Sequence, residues 1–272
     1  MDKRLLFFDV DGTLVSFTTH RVPHSALQAL ARAKAQGHQL FICTGRPLQW
    51  VQTEALRPVL PLMDGFVTLN GAAATVGEHQ VCTTTALPTD TVRLLLNDAL
   101  SADYAAIVVC EHDIYVWNEK PIVGQLFQQL LRIPAFRLPQ FQASQVGALP
   151  VLQISPFFTV QQEQAVMPRM PDALCTRWHP AFADITASHA TKGHAVQAVA
   201  AHLGTDVAHC MAFGDGGNDV SMLRVAGTGV AMGNADDSVK QAADYITTSV
   251  DDDGIARALD TLLSLDGAGF YS

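Results

Sequence analysis

The chain has 272 residues, enough for one large domain or two modest ones with a packed core. Hydrophobic residues make up 49% and charged residues 16%, which is typical of a globular chain and excludes disorder along its whole length. The formal net charge of -9 disfavours nucleic acid and anionic membranes as partners, and the sequence contains no Lys/Arg cluster that would reverse the charge locally.

The N-terminal apolar run ends at Asp9 and is too short for a signal peptide or a membrane span, so we expect a cytoplasmic protein. The 5 cysteines are odd in number, widely spaced and never in a C-x-x-C pair. This pattern indicates neither a disulfide framework nor a zinc knuckle.

The first part of the chain alternates short apolar runs with helical patterns, as a parallel sheet with crossover helices does. The predicted elements are a strand over residues 5–10, a helix over 25–36 capped by Gly37, and strands over 39–43 and 65–69. The helical spacing that predicts the first helix is that of Leu27, Leu30, Ala31 and Lys34.

The same alternation returns near the C-terminus. The predicted elements there are helices over 193–203, 220–225, 238–243 and 255–263, and strands over 210–213, 228–232 and 245–248. Val196, Val199 and Leu203 are expected to point inward from the first of these helices. Between the two halves, repeated prolines separate short helix and strand runs, which predicts an inserted α+β module.

The predicted fold class is therefore α/β, with a Rossmann-like, doubly wound parallel sheet core and an inserted α+β domain. We assign residues 1–82 and 186–272 to the core and residues 83–185 to the insert. Two linkers join such an insert to its core, which would let it move over a site as a lid.

Two carboxylates follow the first predicted strand, in the segment Asp9-Val10-Asp11-Gly12-Thr13. Open α/β folds bind ligands at the carboxyl ends of their strands, and in an extended chain Asp9 and Asp11 point to the same side. A plain turn is the alternative, since Asp-Gly is common in turns. A calcium-binding loop is disfavoured because His20 stands where the closing Glu is needed.

A second acidic loop, Gly214-Asp215-Gly216-Gly217-Asn218-Asp219, follows a later apolar strand. Mg²⁺ prefers oxygen ligands and keeps several waters, so two or three carboxylates at one sheet edge suffice to bind it. A glycine-rich loop taken alone is as often a plain turn. The two acidic loops together favour a Mg²⁺ site.

Two further segments have features suited to phosphate. Thr44 offers a hydroxyl at the end of the second strand, and Thr44-Gly45-Arg46 offers backbone N–H groups. Lys192 stands at the start of a helix, where the dipole and free N–H groups favour anions. Each taken alone is more often a helix cap or a solvated charge.

These four segments, in this order, resemble the four motifs of the haloacid dehalogenase superfamily of phosphohydrolases, and the resemblance covers essentially the whole chain. The long insert, the Gly214–Asp219 loop and Gly233-Asn234-Ala235 resemble the Cof-like sugar-phosphate phosphatases, which have an α/β cap of type IIB. Gly217 departs from the family pattern, where Glu is expected, but it lies outside the ligand positions.

The resemblance implies a role for each residue. Asp9 would be the nucleophile that forms an aspartyl-phosphate, and Asp11 would act as general acid and then base. Mg²⁺ would be held by Asp9, Asp215 and the backbone carbonyl of Asp11. The expected phosphate-binding set is Asp9, Thr44, Gly45, Arg46, Lys192 and Asn218, with Asp219 supporting the metal waters or Lys192.

The predicted function is Mg²⁺-dependent hydrolysis of small phosphorylated metabolites, either sugar phosphates or cofactor phosphates. A phosphomutase, which passes the phosphoryl group to a sugar hydroxyl, uses the same aspartyl-phosphate and stays an alternative. A non-catalytic phospho-accepting receiver is a second alternative, although receivers are single compact domains. A true haloacid dehalogenase is disfavoured because its reaction would use neither Asp11 nor a metal.

Overall fold

The computed structural model describes residues 3–77, 79–82, 85–131 and 135–263. In chain order, its strands are β1 (Leu5–Phe8), β2 (Gln39–Cys43), β3 (Gly65–Thr68), β4 (Ala73–Val76), β5 (His79–Cys82), β6 (Ala106–Cys110), β7 (Ile114–Trp117), β8 (Val151–Pro156), β9 (Ala173–His179), β10 (Phe182–Ala187), β11 (Cys210–Gly214), β12 (Thr228–Ala231) and β13 (Tyr245–Ile246). Its helices are α1 (His24–Ala35), α2 (Thr89–Ser101), α3 (Pro121–Leu131), α4 (Val160–Val166), α5 (Lys192–His202), α6 (Val220–Val225), α7 (Asp237–Lys240) and α8 (Gly254–Leu263).

The chain forms two compact units, one within Met1–Thr83 and Thr191–Ser272 and the other within Thr84–Ala190. The first unit contains an 8-stranded sheet in the order β13-β12-β11-β1-β2-β3-β4-β5. The strands from β13 to β3 pair in parallel, and β4 and β5 extend the sheet as antiparallel neighbours. That antiparallel extension lies beyond what the sequence patterns predicted.

Both faces of the parallel sheet are covered, which explains why its strands are continuous apolar runs. Leu6 and Phe8 point to one face and pack with residues of α1 and α8. Leu5 and Phe7 point to the other face and pack with residues of α5 and α6. Helices on both faces of a parallel sheet form a doubly wound fold, so the predicted fold class is confirmed.

The buried face of α1 differs from the prediction. Its buried residues are Ala26, Ala29, Leu30 and Ala33, whereas Ala31 is exposed. The small alanine side chains let this helix lie close to the sheet, and Leu27 packs at the margin of the same core while only partly buried. In α5, by contrast, Val196 and Val199 are buried as predicted.

The second unit is built on a 5-stranded antiparallel sheet in the order β7-β6-β8-β10-β9. Leu95 and Leu96 of α2 share one hydrophobic core with Ile154 of β8 and Ile185 of β10, so α2 packs on one face of this sheet. An antiparallel sheet with helices packed on it is an α+β arrangement, as the short helix and strand runs in the sequence of the insert predicted.

The C-terminal boundary of the insert differs from the assignment made from the sequence. Residues 186–190 were assigned to the core, but they lie in the second unit. The reason is that β10 continues through Ala187 and pairs with β9 along its length. None of the helices in the described residues has the length and apolarity needed to cross a membrane.

Candidate active site

The predicted site residues of the first unit meet at the carboxyl ends of its central strands. Asp9 follows β1, Thr44 follows β2 and Asp215 follows β11. Because β1 pairs in parallel with both β2 and β11, these three ends share one edge of the sheet. Lys192, the first residue of α5, reaches the same place through its side chain.

Lys192 is a buried group and not a solvated charge at a helix start. The residue is 1% exposed, and its Nζ lies 2.6 Å from Oδ1 of Asp9 and 2.6 Å from Oδ1 of Asp219. Burial alone would lower the pKa of Lys192, but the carboxylates of Asp219 and Asp9 outweigh it and raise that pKa. The ammonium therefore stays charged and bridges two carboxylates.

Asp219 serves mainly as a support. Its Oδ1 accepts a hydrogen bond from Lys192, while its Oδ2 accepts one from the backbone N–H of Asp215 at 3.0 Å and one from that of Gly216 at 2.9 Å. The side chain is fully buried. Both of its oxygens are thus engaged in holding Lys192 and the loop that carries Asp215.

Asp215 is oriented by two side chains that our sequence analysis did not assign to the site. Oγ1 of Thr13 donates to Oδ1 of Asp215 at 2.8 Å, and Nδ2 of Asn234 donates to Oδ2 at 3.2 Å. Asn234 also donates to the carbonyl of Gly12 at 2.9 Å. Gly12 has a φ of +89°, and a Cβ added there would overlap the Asp215 carboxylate, so only glycine fits.

The arrangement fits a divalent cation. Ligand oxygens of Asp9, Asp215 and Asp219 all lie within 4.8 Å of one another. Three carboxylates against the one ammonium of Lys192 leave a formal excess of two negative charges. Asp219 is fully buried and accepts three hydrogen bonds, from Lys192 and two backbone N–H groups, whereas Asp215 is only partly buried. Asp9 and Asp215 are therefore the side chains best placed to hold the ion.

The pKa values of these carboxylates also favour a bound cation. Burial, followed by the charge of Asp219, raises the pKa of Asp9 well above its ordinary value. Burial likewise raises the pKa of Asp215 to about 6. A bound cation would offset this penalty, and carboxylate oxygens are the ligands that Mg²⁺ prefers.

Asp11 is separated from the acidic cluster by its pairing with Arg46. Nε of Arg46 donates to Oδ2 of Asp11 at 2.9 Å, and Nη2 donates to Oδ1 at 2.5 Å. The side chains are 34% and 23% exposed for Asp11 and Arg46, respectively. This bidentate hydrogen bonding fixes the orientation of the Asp11 carboxylate.

The segment Thr44-Gly45-Arg46, after β2, was predicted to offer backbone N–H groups to phosphate, and the structure differs from this in part. The N–H of Thr44 donates to the carbonyl of Val67 at 2.8 Å, and the N–H of Arg46 donates to Oγ1 of Thr44 at 3.2 Å. Both amides are therefore engaged internally, and Arg46 uses its guanidinium on Asp11. The Thr44 hydroxyl keeps its own proton to donate.

Asn218 contacts Asn70. Nδ2 of Asn218 donates to Oδ1 of Asn70 at 3.0 Å. Asn70 is buried beside the predicted site residues, where sequence reasoning did not place it. The available signal was the Asn70-Gly71 pair at the end of the third predicted strand, which we interpreted only as a strand terminus.

Comparisons with known proteins match nearly the whole chain. The sequence profile of the haloacid dehalogenase-like hydrolases matches residues 6–259. The chain is 31% identical to YkrA of Bacillus subtilis (strain 168), over 96% of this chain and 98% of YkrA. It is 29% identical to the pyridoxal phosphate phosphatase YbhA of Escherichia coli (strain K12), over 94% of this chain and 97% of YbhA. Its fold is similar to that of the HAD subclass IIB sugar phosphatase BT4131, with a TM-score of 0.87, 39% identity, and coverage of 97% of this chain and 100% of that one.

Proposed function

The chain belongs to the haloacid dehalogenase-like hydrolases, and we propose that within this family it is a Mg²⁺-dependent phosphatase that works through an aspartyl-phosphate. The observation that carries the proposal is the buried carboxylate of Asp9, held by Lys192 beside Asp215. Neither a structural ion pair nor a plain turn requires three carboxylates to converge around one lysine.

Asp9 is the proposed nucleophile. Its Oδ1 is fixed by Lys192, and its Oδ2 has no hydrogen-bond partner among the described residues. That oxygen would attack phosphorus, forming an oxygen–phosphorus bond while the bond to the leaving oxygen breaks. Bound Mg²⁺ would neutralise charge on the transferring phosphoryl group. Lys192 would add a second fixed positive charge there.

Asp11 is the proposed acid and base. In the first step it would give a proton to the leaving oxygen, and in the second it would take one from a water that attacks the phosphorus and releases Asp9. Both oxygens of Asp11 are held by Arg46 in this structure. Each of these oxygens keeps a second lone pair, so Asp11 can exchange a proton with substrate or water while Arg46 holds its orientation.

For the substrate, we propose small phosphate monoesters, either sugar phosphates or a cofactor phosphate such as pyridoxal phosphate. Support comes from the similarity of the chain to the sugar phosphatase BT4131 and to the pyridoxal phosphate phosphatase YbhA. The absence of nucleic-acid and membrane partners and the cytoplasmic location stay predictions from the sequence.

The test is a phosphate-release screen over sugar phosphates, pyridoxal phosphate and flavin mononucleotide, with and without EDTA. Asp9→Asn should abolish release, because an amide is a poor nucleophile and loses the ligand charge. Asp237→Asn, at an exposed position in the same unit, should behave as wild type. Full activity in EDTA, or in Asp9→Asn, would contradict the proposal.

The intermediate needs its own measurement. Rapid acid quenching with ³²P-labelled substrate should trap label on wild-type protein, and hydroxylamine should remove it, as expected for an acyl phosphate. Asp9→Asn should trap none. Formation of an isomeric sugar phosphate instead of free phosphate would identify a phosphomutase, and label that persists without turnover would identify a receiver.

A further inference from the structure

One polar group beside the site is buried without a partner among the described residues. Asn70 is 3% exposed, and its Nδ2 atom has no hydrogen-bond acceptor within the described part of the chain. Leaving a buried donor unpaired costs free energy, so such a group in a folded protein calls for an explanation. Asn70 lies in none of the four segments that carry the family resemblance.

The amide of Asn70 lies between two segments of the proposed phosphate site. Its Oδ1 accepts the hydrogen bond from Asn218, in the loop after β11. On the other side, a Cβ added to Gly45 would lie 3.0 Å from Oδ1 and 3.1 Å from Nδ2 of Asn70. The backbone N–H of Asn70 donates to the carbonyl of Thr44 at 3.1 Å, which ties it to the segment after β2.

The turn that carries Asn70 also abuts the helix that begins with Lys192. Leu69, Asn70 and Gly71 have φ values of +53°, +54° and +101°. A Cβ added to Gly71 would overlap the carbonyl of Thr191, the residue before Lys192. Three successive left-handed residues thus place the Asn70 amide among the segments after β2, before α5 and after β11.

We propose that Asn70 is a further phosphoryl-binding residue, whose Nδ2 donates a hydrogen bond to a non-bridging oxygen of the substrate's phosphoryl group. The inference rests on the proposed phosphatase function. Phosphate oxygens are strong acceptors, and the donor that lacks a partner in the free protein would gain one on binding. The hydrogen bond from Asn218 holds the amide with its acceptor turned to the loop and its donor left for the ligand.

Two variants test whether the Asn70 amide contributes to phosphate binding. Asn70→Asp keeps an acceptor for Asn218 but has no donor and adds a negative charge. Asn70→Gly keeps the left-handed backbone and removes the amide. We expect kcat/KM to fall about 10- to 100-fold in both variants, and at least as far in Asn70→Asp. Asn97→Asp, at an exposed position, should match wild type.

Binding of inorganic phosphate in Mg²⁺-containing buffer, measured by calorimetry, gives a readout that needs no turnover. Its dissociation constant should rise about 10-fold or more in Asn70→Asp and Asn70→Gly. If wild type bound phosphate but hydrolysed no ester, the proposed function would fail while the role of Asn70 would still be tested. Unchanged phosphate affinity and kcat/KM in both variants would overturn the role.

A supporting role through Asn218 predicts a different pattern. Because the negative charge of Asn70→Asp would repel phosphate under either role, the deciding comparison is Asn70→Gly in an Asn218→Ala background. If Asn70 acts only through Asn218, Asn70→Gly causes no further loss of kcat/KM there, which would overturn direct donation. Thermal unfolding checks that each variant is folded. A further loss of kcat/KM and of phosphate affinity in the double variant supports direct donation, and this comparison holds even should Asn70→Asp fail to fold.

Discussion

Replacing Lys192 by Met removes the only positive charge that the described structure shows in contact with the acidic cluster, while keeping a side chain of similar length. The ammonium is fully buried and bonded at 2.6 Å to both Asp9 and Asp219. Taking one partner out of a buried ion pair leaves an uncompensated charge and costs about 3–5 kcal/mol. We expect the free energy of unfolding in EDTA to fall by that amount.

The pH dependence of this loss has a definite sign. Burial already raises the pKa of Asp9, and removing Lys192 raises it further. The folded variant then binds more protons than its unfolded chain between about pH 4 and the raised pKa, so its stability falls as the pH rises through that window. Lys192→Met should therefore be nearer to wild type at about pH 5 than at about pH 8.

The assay is urea unfolding at both pH values, beside kcat/KM on the best substrate. We expect kcat/KM to drop about 10²–10³-fold, the effect of losing one preorganised group aimed at developing charge. Lys192→Arg should also lose activity, because a planar guanidinium does not fit the place of a compact ammonium.

Lys34→Met is the matched control for this experiment. Lys34 pairs with Asp64 at 2.5 Å, but the two side chains are 34% and 25% exposed, so its loss should cost about 0–1 kcal/mol. Wild-type kinetics together with an unfolding free energy within about 1 kcal/mol of wild type for Lys192→Met would refute the reasoning.

Three further predictions concern the residues around this lysine. Millimolar Mg²⁺ should raise the unfolding temperature of the wild-type chain, since a ligand of the folded state stabilises it, and Asp215→Asn should remove most of that rise in calorimetry. Thr13→Val removes the 2.8 Å hydrogen bond that orients Asp215 and should weaken Mg²⁺ binding about 10- to 100-fold in an isothermal titration; equal affinity would show that the contact is dispensable. Asp11→Asn should reduce kcat far more for an alkyl phosphate than for p-nitrophenyl phosphate, whose leaving group needs no proton. Equal losses on the two esters would argue against acid catalysis.

The order of elements was readable from the sequence because it depends on local patterns. Buried parallel strands are apolar runs, and each run here ends at a residue that interrupts it, such as Asp9 or Asp215. The convergence of Asp9, Thr44 and Asp215 also follows from order alone, since neighbouring parallel strands end at one edge. The end of the insert was misjudged by a few residues because β10 pairs with β9, a neighbour that no local pattern reveals.

The sequence by itself thus determined the fold class, the inserted module and the set of segments that meet at the sheet edge, because strand and helix periodicity are local properties and parallel strands end at a common edge. Only the tertiary structure decided that Lys192 is buried, that Arg46 holds Asp11 and that Asn70 keeps an unpaired donor. The contacts concerned join residues 183, 35 and 148 positions apart: Lys192 with Asp9, Arg46 with Asp11, and Asn218 with Asn70. The sequence does not show whether a lysine at a helix start or an asparagine in a turn is exposed to solvent or buried in a site. That depends on packing between segments that are distant in sequence.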